Sequence, residues 1–184
     1  MTVTVAIGLG TNVGDRRAHL ERAIDALAAH VGALRCARTY ASDAMLPPGA
    51  PAAWAMPFLN TVCLGETTLP APALLDALHA IERTIGRGPH PRWSPRVIDL
   101  DLLLYGDDVL DTPRLRVPHP GLVERPFVLL PLAELAPERR HPGPGPAHGR
   151  RFDALAAELC ARHPAGLPHR THPVDDAPLT CAIG

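Results

Sequence analysis

The stretch Arg92-Trp-Ser-Pro-Arg-Val-Ile-Asp-Leu-Asp-Leu-Leu-Leu-Tyr-Gly-Asp107 decides how this chain is read. Val97 to Tyr105 is a run of apolar residues broken by two carboxylates, and it predicts a β-strand whose side chains alternate between faces. Asp99 and Asp101 then share one face, and Ile98, Leu100, Leu102 and Leu104 form an unbroken apolar row on the other. Upstream, Pro70 to Ile85 predicts a helix with Leu74, Leu75, Leu78, Ile81 and Ile85 inward, stopped by Gly86. Further back, Phe58 to Thr67 and Leu34 to Tyr40 read as strands, separated by a long loop from Ser42 to Pro57 that carries Met45, Trp54 and Met56. Val3 to Leu9 predicts the first strand, and Asp15 the N-cap of a helix from Arg16 to about Val31. Downstream come a short strand near Val109-Leu110, a rigid loop Val117–Gly121 and a helix from Arg125 to Leu135 interrupted near Pro131. A Pro/Gly-rich linker and a helix from Phe152 to Arg162 complete the pattern.

The order β-α-β-β-α-β is that of the ferredoxin-like split βαβ unit, an α+β fold with an antiparallel sheet and both helices on one face. The additional C-terminal helices are expected to cover the other face, giving a three-layer α/β/α arrangement. Residues 1–162 are read as a single domain and 163–184 as a disordered tail. Glu82, one turn before Gly86, reads as a surface salt bridge in its ordinary role, or as the orienter of an arginine.

With 184 residues and a net charge of −1, the chain has one well-buried domain's worth of sequence and no charge excess that draws it to nucleic acid or an anionic membrane. The N-terminus has no basic stretch followed by an apolar run, and no segment approaches the ~20 apolar residues that cross a bilayer. A cytoplasmic protein is expected. Cys36, Cys63, Cys160 and Cys181 form no CxxC pair and are expected to be reduced thiols. All 18 basic residues are arginine, so a P-loop, which requires a lysine, is excluded. An anionic substrate must be held by guanidinium groups, histidines or backbone amides.

Two carboxylates side by side on a largely buried strand repel each other and resist desolvation. A divalent cation removes both penalties. Magnesium suits hard oxygen ligands and is usually held by one or two carboxylates plus the phosphate oxygens of a substrate. The arginines just upstream suit those phosphates. The chemistry therefore points to a magnesium-dependent enzyme acting on a nucleoside triphosphate.

Several ordered motifs carry a family resemblance. Gly10-Thr-Asn-Val-Gly-Asp15 resembles the GSNLGD signature of the 6-hydroxymethyl-7,8-dihydropterin pyrophosphokinases, and Phe58-Leu-Asn60 also fits that family. Gly86-Arg87 and Arg92 to Gly106 resemble its RWGPRTxDLDxLxxG signature. Val117-Pro-His119, Glu124-Arg-Pro-Phe127 and Pro131 to Pro137 are similar to its VPHPxxxERxFVLxPLxExAP block. The resemblance implies transfer of pyrophosphate from ATP to the hydroxymethyl oxygen of a dihydropterin, a step of folate biosynthesis, by a monomer. It implies that Asp99 and Asp101 share two magnesium ions, and that Arg87 and Arg96 stabilise charge on the transferring and leaving groups. It puts Arg92 and Trp93 on a loop closing over ATP, His119 and Arg125 on phosphate oxygens, and Ile98 with the Arg114-Leu115-Arg116 edge at the nucleotide. Phe58 and Phe127 would flank the pterin, Asn60 would read its amide edge, and Ser42 stands near a family threonine with backbone contacts to it.

The chain departs from the family pattern at Pro89, which replaces a phosphate-clamping arginine, with His90 beside it. Ser94 replaces a glycine, and the loop from Ser42 to Phe58 is longer than usual. Two other classes stand against the pyrophosphokinase. A DxD nucleotide-sugar transferase predicts a Rossmann-like run and a larger chain. A non-catalytic pterin- or nucleotide-binding relative would be expected to have lost Asp99, Asp101 or Arg96. Taken singly, Trp93, Phe58 and Phe127 default to core packing, and Arg87 and Arg114 to solvated surface.

Overall fold

A computed structural model describes residues 1–89, 91, 93–167, 169 and 171–174. The strand β1 (Val3–Thr11) is central: apart from Leu9 its residues are small or β-branched, and it is buried from both sides. It pairs antiparallel with β5 (Asp99–Tyr105) on one edge and with β4 (Phe58–Thr67) on the other. Strand β4 in turn pairs antiparallel with β2 (Gly32–Cys36) and β3 (Tyr40–Ser42), two segments where the sequence predicts one strand over 34–40. The sheet order β5-β1-β4-β2/β3 with all-antiparallel pairing is the ferredoxin-like arrangement, and it rules out the parallel sheet of a Rossmann-like transferase.

Helices α1 (Arg16–Leu27) and α2 (Ala71–Ile85) cover one face. Asp15 caps α1 by accepting from the Ala18 amide at 3.1 Å. The helix stops at Leu27 rather than near Val31, because the amides of His30 and Val31 both turn back to the Leu27 carbonyl at 2.9 Å. Leu20, Ile24, Leu27, Leu74 and Leu78 pack there on Val5, Ile7, Leu9, Ile98, Leu100 and Leu102. Helices α3 (Pro126–Leu135) and α4 (Phe152–Arg162) cover the opposite face, over Ala6, Val62, Leu64, Leu103 and Leu104. The three-layer α/β/α expectation holds. Helix α3 runs through Pro131 without the predicted interruption. A two-stranded ribbon of β6 (Leu110–Asp111) and β7 (Arg116–Val117) leads into the Val117-Pro118 peptide, which is cis. No helix among the described residues is long and apolar enough to cross a membrane.

Three expectations are corrected. The apolar row on β5 is broken: Ala6 pairs with Leu104 but the next residue, Ile7, pairs with Leu102, so Leu103 is the extra residue of a bulge. Leu103 and Leu104 consequently both pack under α3 and α4, and Leu104 leaves the face of Leu100 and Leu102. Cys36 and Cys63 are not free thiols. They face each other in the β2–β4 register with Cα atoms 4.1 Å apart and are joined as a disulfide. Cys160 is free and exposed, and Cys181 lies outside the described residues. Finally, the chain beyond residue 162 is not all tail: β8 (His172–Pro173) pairs antiparallel with Tyr40 and Ala41 of β3.

Candidate active site

The face of the sheet under α3 and α4 is only partly core. Toward one end, small residues replace large ones, and a cleft of about 330 Å³ opens. Directly paired residues of neighbouring strands lie on the same face, so register alone assembles its floor. Asp99 of β5 pairs with Gly10 of β1, Gly10 with Asn60 of β4, and Asn60 with Tyr40 of β3; Asp101 pairs with Gly8. Both carboxylates therefore have a glycine opposite, which leaves space above them. A Cβ at residue 10 would stand 3.0 Å from Asn60 Oδ1 and crowd that side chain.

The carboxylate wall is organised by charge. Asp99 accepts from Arg87 Nη1 at 2.5 Å and is paired with Arg96 through its other oxygen. Arg87 is also paired with Glu82, whose Oε1 accepts from the Leu100 amide at 2.8 Å. Glu82 is 3% exposed, and burial raises its pKa, so the surface salt-bridge reading of this residue is overturned. Asn12 fixes the backbone of Arg96 from both sides: its Oδ1 accepts from the Arg96 amide at 2.7 Å, and its own amide donates to the Arg96 carbonyl at 3.1 Å. Arg96 Nε is buried without a hydrogen-bond partner among the described residues. Burial and the neighbouring Asp99 charge push the Asp101 pKa up to about 7, against the opposing pull of Arg125. His119, also in the cleft, is pushed down to about 4, chiefly by burial and further by Arg125. Its Nδ1 accepts from the Gly121 amide at 3.1 Å, which sets the ring's orientation. A side chain at residue 121 would collide with Arg125, since its Cβ would lie 2.5 Å from Nε.

The opposite wall is largely uncharged, apart from Asp43. Phe58 and Phe127 line it together with Ser42, Met45 and Asn60. Asn60 Nδ2 donates to Ser42 Oγ at 3.0 Å and to the Tyr40 carbonyl at 3.3 Å. Helix α3, which carries Phe127, is tied to β3 through Glu134, which accepts from the Tyr40 hydroxyl and from Arg38 Nη2 at 2.7 Å.

Of the residues singled out in the sequence, Arg87, Trp93, Arg96, Asp99, Asp101, His119, Arg125, Ser42, Phe58, Asn60 and Phe127 meet in this cleft. Arg92 lies outside the described residues. Ile98 and Leu115 are buried together in the core on the α1/α2 side, and neither lines the cleft. Arg114 pairs with Asp76 at 2.6 Å and Arg116 with Asp111 at 2.7 Å, both exposed and away from it. Trp93 holds a left-handed backbone (φ 71°) rather than Ser94. Ser94 instead turns back, donating through Oγ to the Pro91 carbonyl at 2.8 Å. Pro89 is exposed and does not line the cleft. Sequence reading undervalued Glu82 and gave no role to Asn12. Glu82 continues the inward Leu74–Leu78 stripe at a spacing of four, so a carboxylate on an apolar stripe was the available signal.

An antiparallel ferredoxin-like sheet thus carries one cleft with a carboxylate pair between arginines on one side and aromatic rings on the other. The family model described as 7,8-dihydro-6-hydroxymethylpterin-pyrophosphokinase matches residues 6–137, and the chain belongs to this family. A Pseudomonas aeruginosa protein named 2-amino-4-hydroxy-6-hydroxymethyldihydropteridine pyrophosphokinase is 41% identical over 159 residues, covering 85% of this chain and 92% of that protein. A "Folate synthesis bifunctional protein" of Chlamydia trachomatis is 37% identical over 157 residues, covering 83% of this chain. The chain spans only 35% of that relative's length. A Plasmodium falciparum HPPK-DHPS crystal structure superposes with a TM-score of 0.68 at 14% identity, over 89% of this chain and 46% of that one. At that identity the likeness concerns the fold.

Proposed function

We propose that this chain transfers pyrophosphate from ATP to the hydroxymethyl oxygen of 6-hydroxymethyl-7,8-dihydropterin, giving AMP and the pterin diphosphate, in folate biosynthesis. The observation that carries the reading is the composition of one cleft: Asp99, Asp101, Arg87, Arg96 and Arg125 face Phe58, Phe127 and Asn60 across it. A triphosphate needs the first set and a flat heterocycle rich in donors and acceptors needs the second.

Among the described residues, no group of three or more His, Cys, Asp or Glu side chains is arranged to hold a metal ion. Two partly buried carboxylates fit magnesium nonetheless, because this ion takes much of its coordination from substrate phosphates and water. Asp99 and Asp101 would hold two magnesium ions, which when bound neutralise the triphosphate and help orient the hydroxyl group. The orphaned Arg96 Nε supports an anionic ligand at that side of the cleft. Arg87 and Arg96 would stabilise charge developing on the phosphoryl oxygens. His119, neutral near pH 7 and accepting at Nδ1 from the Gly121 amide, would donate from Nε2 to a phosphate oxygen without adding a charge. Asn60 and Ser42 hold the pterin edge while Phe127 and Phe58 flank its ring, so catalysis is alignment plus charge neutralisation. Trp93, on the cleft rim, excludes water when the loop before β5 closes. The reading makes the chain a monomer acting in the cytoplasm.

The test is product analysis: ATP, magnesium and the hydroxymethyl dihydropterin are incubated with the protein, and nucleotide products are separated. Pterin-dependent AMP is expected. ADP, or nucleotide turnover indifferent to the pterin, overturns the reading.

A further inference from the structure

Residues 169 and 171–174 lie beyond the segment that matches the family, which ends at residue 137. They nevertheless reach the largely uncharged wall of the cleft. His172 and Pro173 pair with Ala41 and Tyr40, and the Val174 amide donates to the Thr39 carbonyl at 2.9 Å. Thr171 is buried. The His169 carbonyl accepts from the Asp43 amide at 2.6 Å, and the His169 ring meets Phe127 edge to face, with centroids 6.3 Å apart and planes at 69°. His169 holds a left-handed backbone, φ 58°, a conformation that persists in a non-glycine residue when its surroundings fix it.

Two of these contacts fall on cleft residues, Asp43 and Phe127, and a third on Ala41, next to Ser42; those on Tyr40 and Thr39 continue the pairing along β3 and the residue before it. Strand β3 ends at Ser42, which accepts from Asn60, and Asp43 and Phe127 both line the cleft. Without β8, the three-residue β3 would be an edge strand leading into a long loop, held on one side only. We propose that residues 169 and 171–174 act as a strap that sets the pterin-binding wall, with His169 as a positioning residue for the Phe127 ring. His169 does not line the cleft itself; it acts on the substrate through Phe127, and β8 acts through Ser42 and Asn60. The contacts of the strap given above fall on β3, Thr39, Asp43 and Phe127, all on the ring side of the cleft, so its effect is expected on one substrate. This inference rests on the pterin reading of the site.

The experiment compares the full chain, a chain ending at Leu167, His169→Ala and His169→Phe in steady-state AMP formation, varying the pterin and ATP separately. The truncation is expected to raise the pterin KM about tenfold and His169→Ala about threefold, the range of an aromatic edge contact and its support. The ATP KM should stay within about twofold in both, and His169→Phe should restore the pterin KM by replacing the ring. Unchanged pterin KM in the truncation and in His169→Ala overturns the strap. Equal rises in both KM values also overturn it, since that marks general loosening. If the truncated chain fails to fold, the His169→Ala and His169→Phe pair in the full chain decides. An inactive wild type sinks the proposed reaction; an active wild type matched by the variants sinks the strap alone.

Discussion

The two walls of the cleft are built on different principles. The carboxylate wall is a chain of charges, Glu82 to Arg87 to Asp99 to Arg96, drawn from α2, the loop after it and the start of β5. These residues lie close together in sequence. The ring wall itself is built of neutral hydrogen bonds and aromatic contact, its residues come from β3, β4, α3 and the loop after β3, and an ionic tie, Glu134 with Arg38, lies behind it. A charged wall tolerates little displacement, because each ion removed leaves another buried without its partner. A neutral wall tolerates more and is tuned by packing. Substitutions on the first should therefore strike turnover, and those on the second should strike the affinity for one substrate.

The sharpest way to break this contrast is Asp101→Ala. A loss in kcat on the order of 10³-fold is expected, with thermal stability equal to or above wild type, because a buried like-charge neighbour of Asp99 has been removed. Near-normal turnover would remove Asp101 from the chemistry. Next comes Glu82→Ala, which strands Arg87 and the Leu100 amide. Destabilisation of about 3 kcal/mol is expected, with kcat down by about 10²-fold. Glu82→Gln keeps an acceptor for Leu100 and should recover stability before activity. Melting curves and kcat measured on the same preparations check both; a Glu82→Ala protein as active and stable as wild type would dissolve the distinction between the walls.

On the ring wall, Phe127→Ala should raise the pterin KM about tenfold and leave the ATP KM nearly unchanged, as calorimetric titration of each ligand would also register. A matching loss of ATP affinity would mean that the two walls are not separate. The smallest effect on activity is expected at His119, where the change to look for is in stability. Its pKa in the folded protein is depressed to about 4, so the unfolded chain takes up the proton first as pH falls. Its contribution to stability is complete above about pH 6.5 and is lost as pH falls toward 4. His119→Gln should therefore narrow the stability gap between pH 7 and pH 4.5 by about 2 kcal/mol. Denaturant titrations of both proteins at the two pH values measure it, and an unaltered gap would contradict the depressed pKa.

Much of this molecule was legible in its sequence, and the reason is local. The Asp99-x-Asp101 spacing on a strand puts two carboxylates on one face whatever the rest of the chain does. The apolar stripes of α1 and α2 and the stops at Asp15 and Gly86 likewise depend on a few adjacent residues. The order of strands and helices then leaves few topologies open. Tertiary structure alone decided the remainder. The bulge at Leu103 arises from β1–β5 register, and the Cys36–Cys63 pairing from β2–β4 register, neither of which any spacing in the sequence specifies. Glu82 changes from a plausible surface ion to a buried organiser because β5 brings the Leu100 amide and Asp99 to it. The segment His172–Pro173 has the composition of a tail, and it joins the sheet next to the cleft because β3 offers it an edge to pair with. Pairing across a sheet is a property of two segments at once, and a single stretch of sequence carries only half of it.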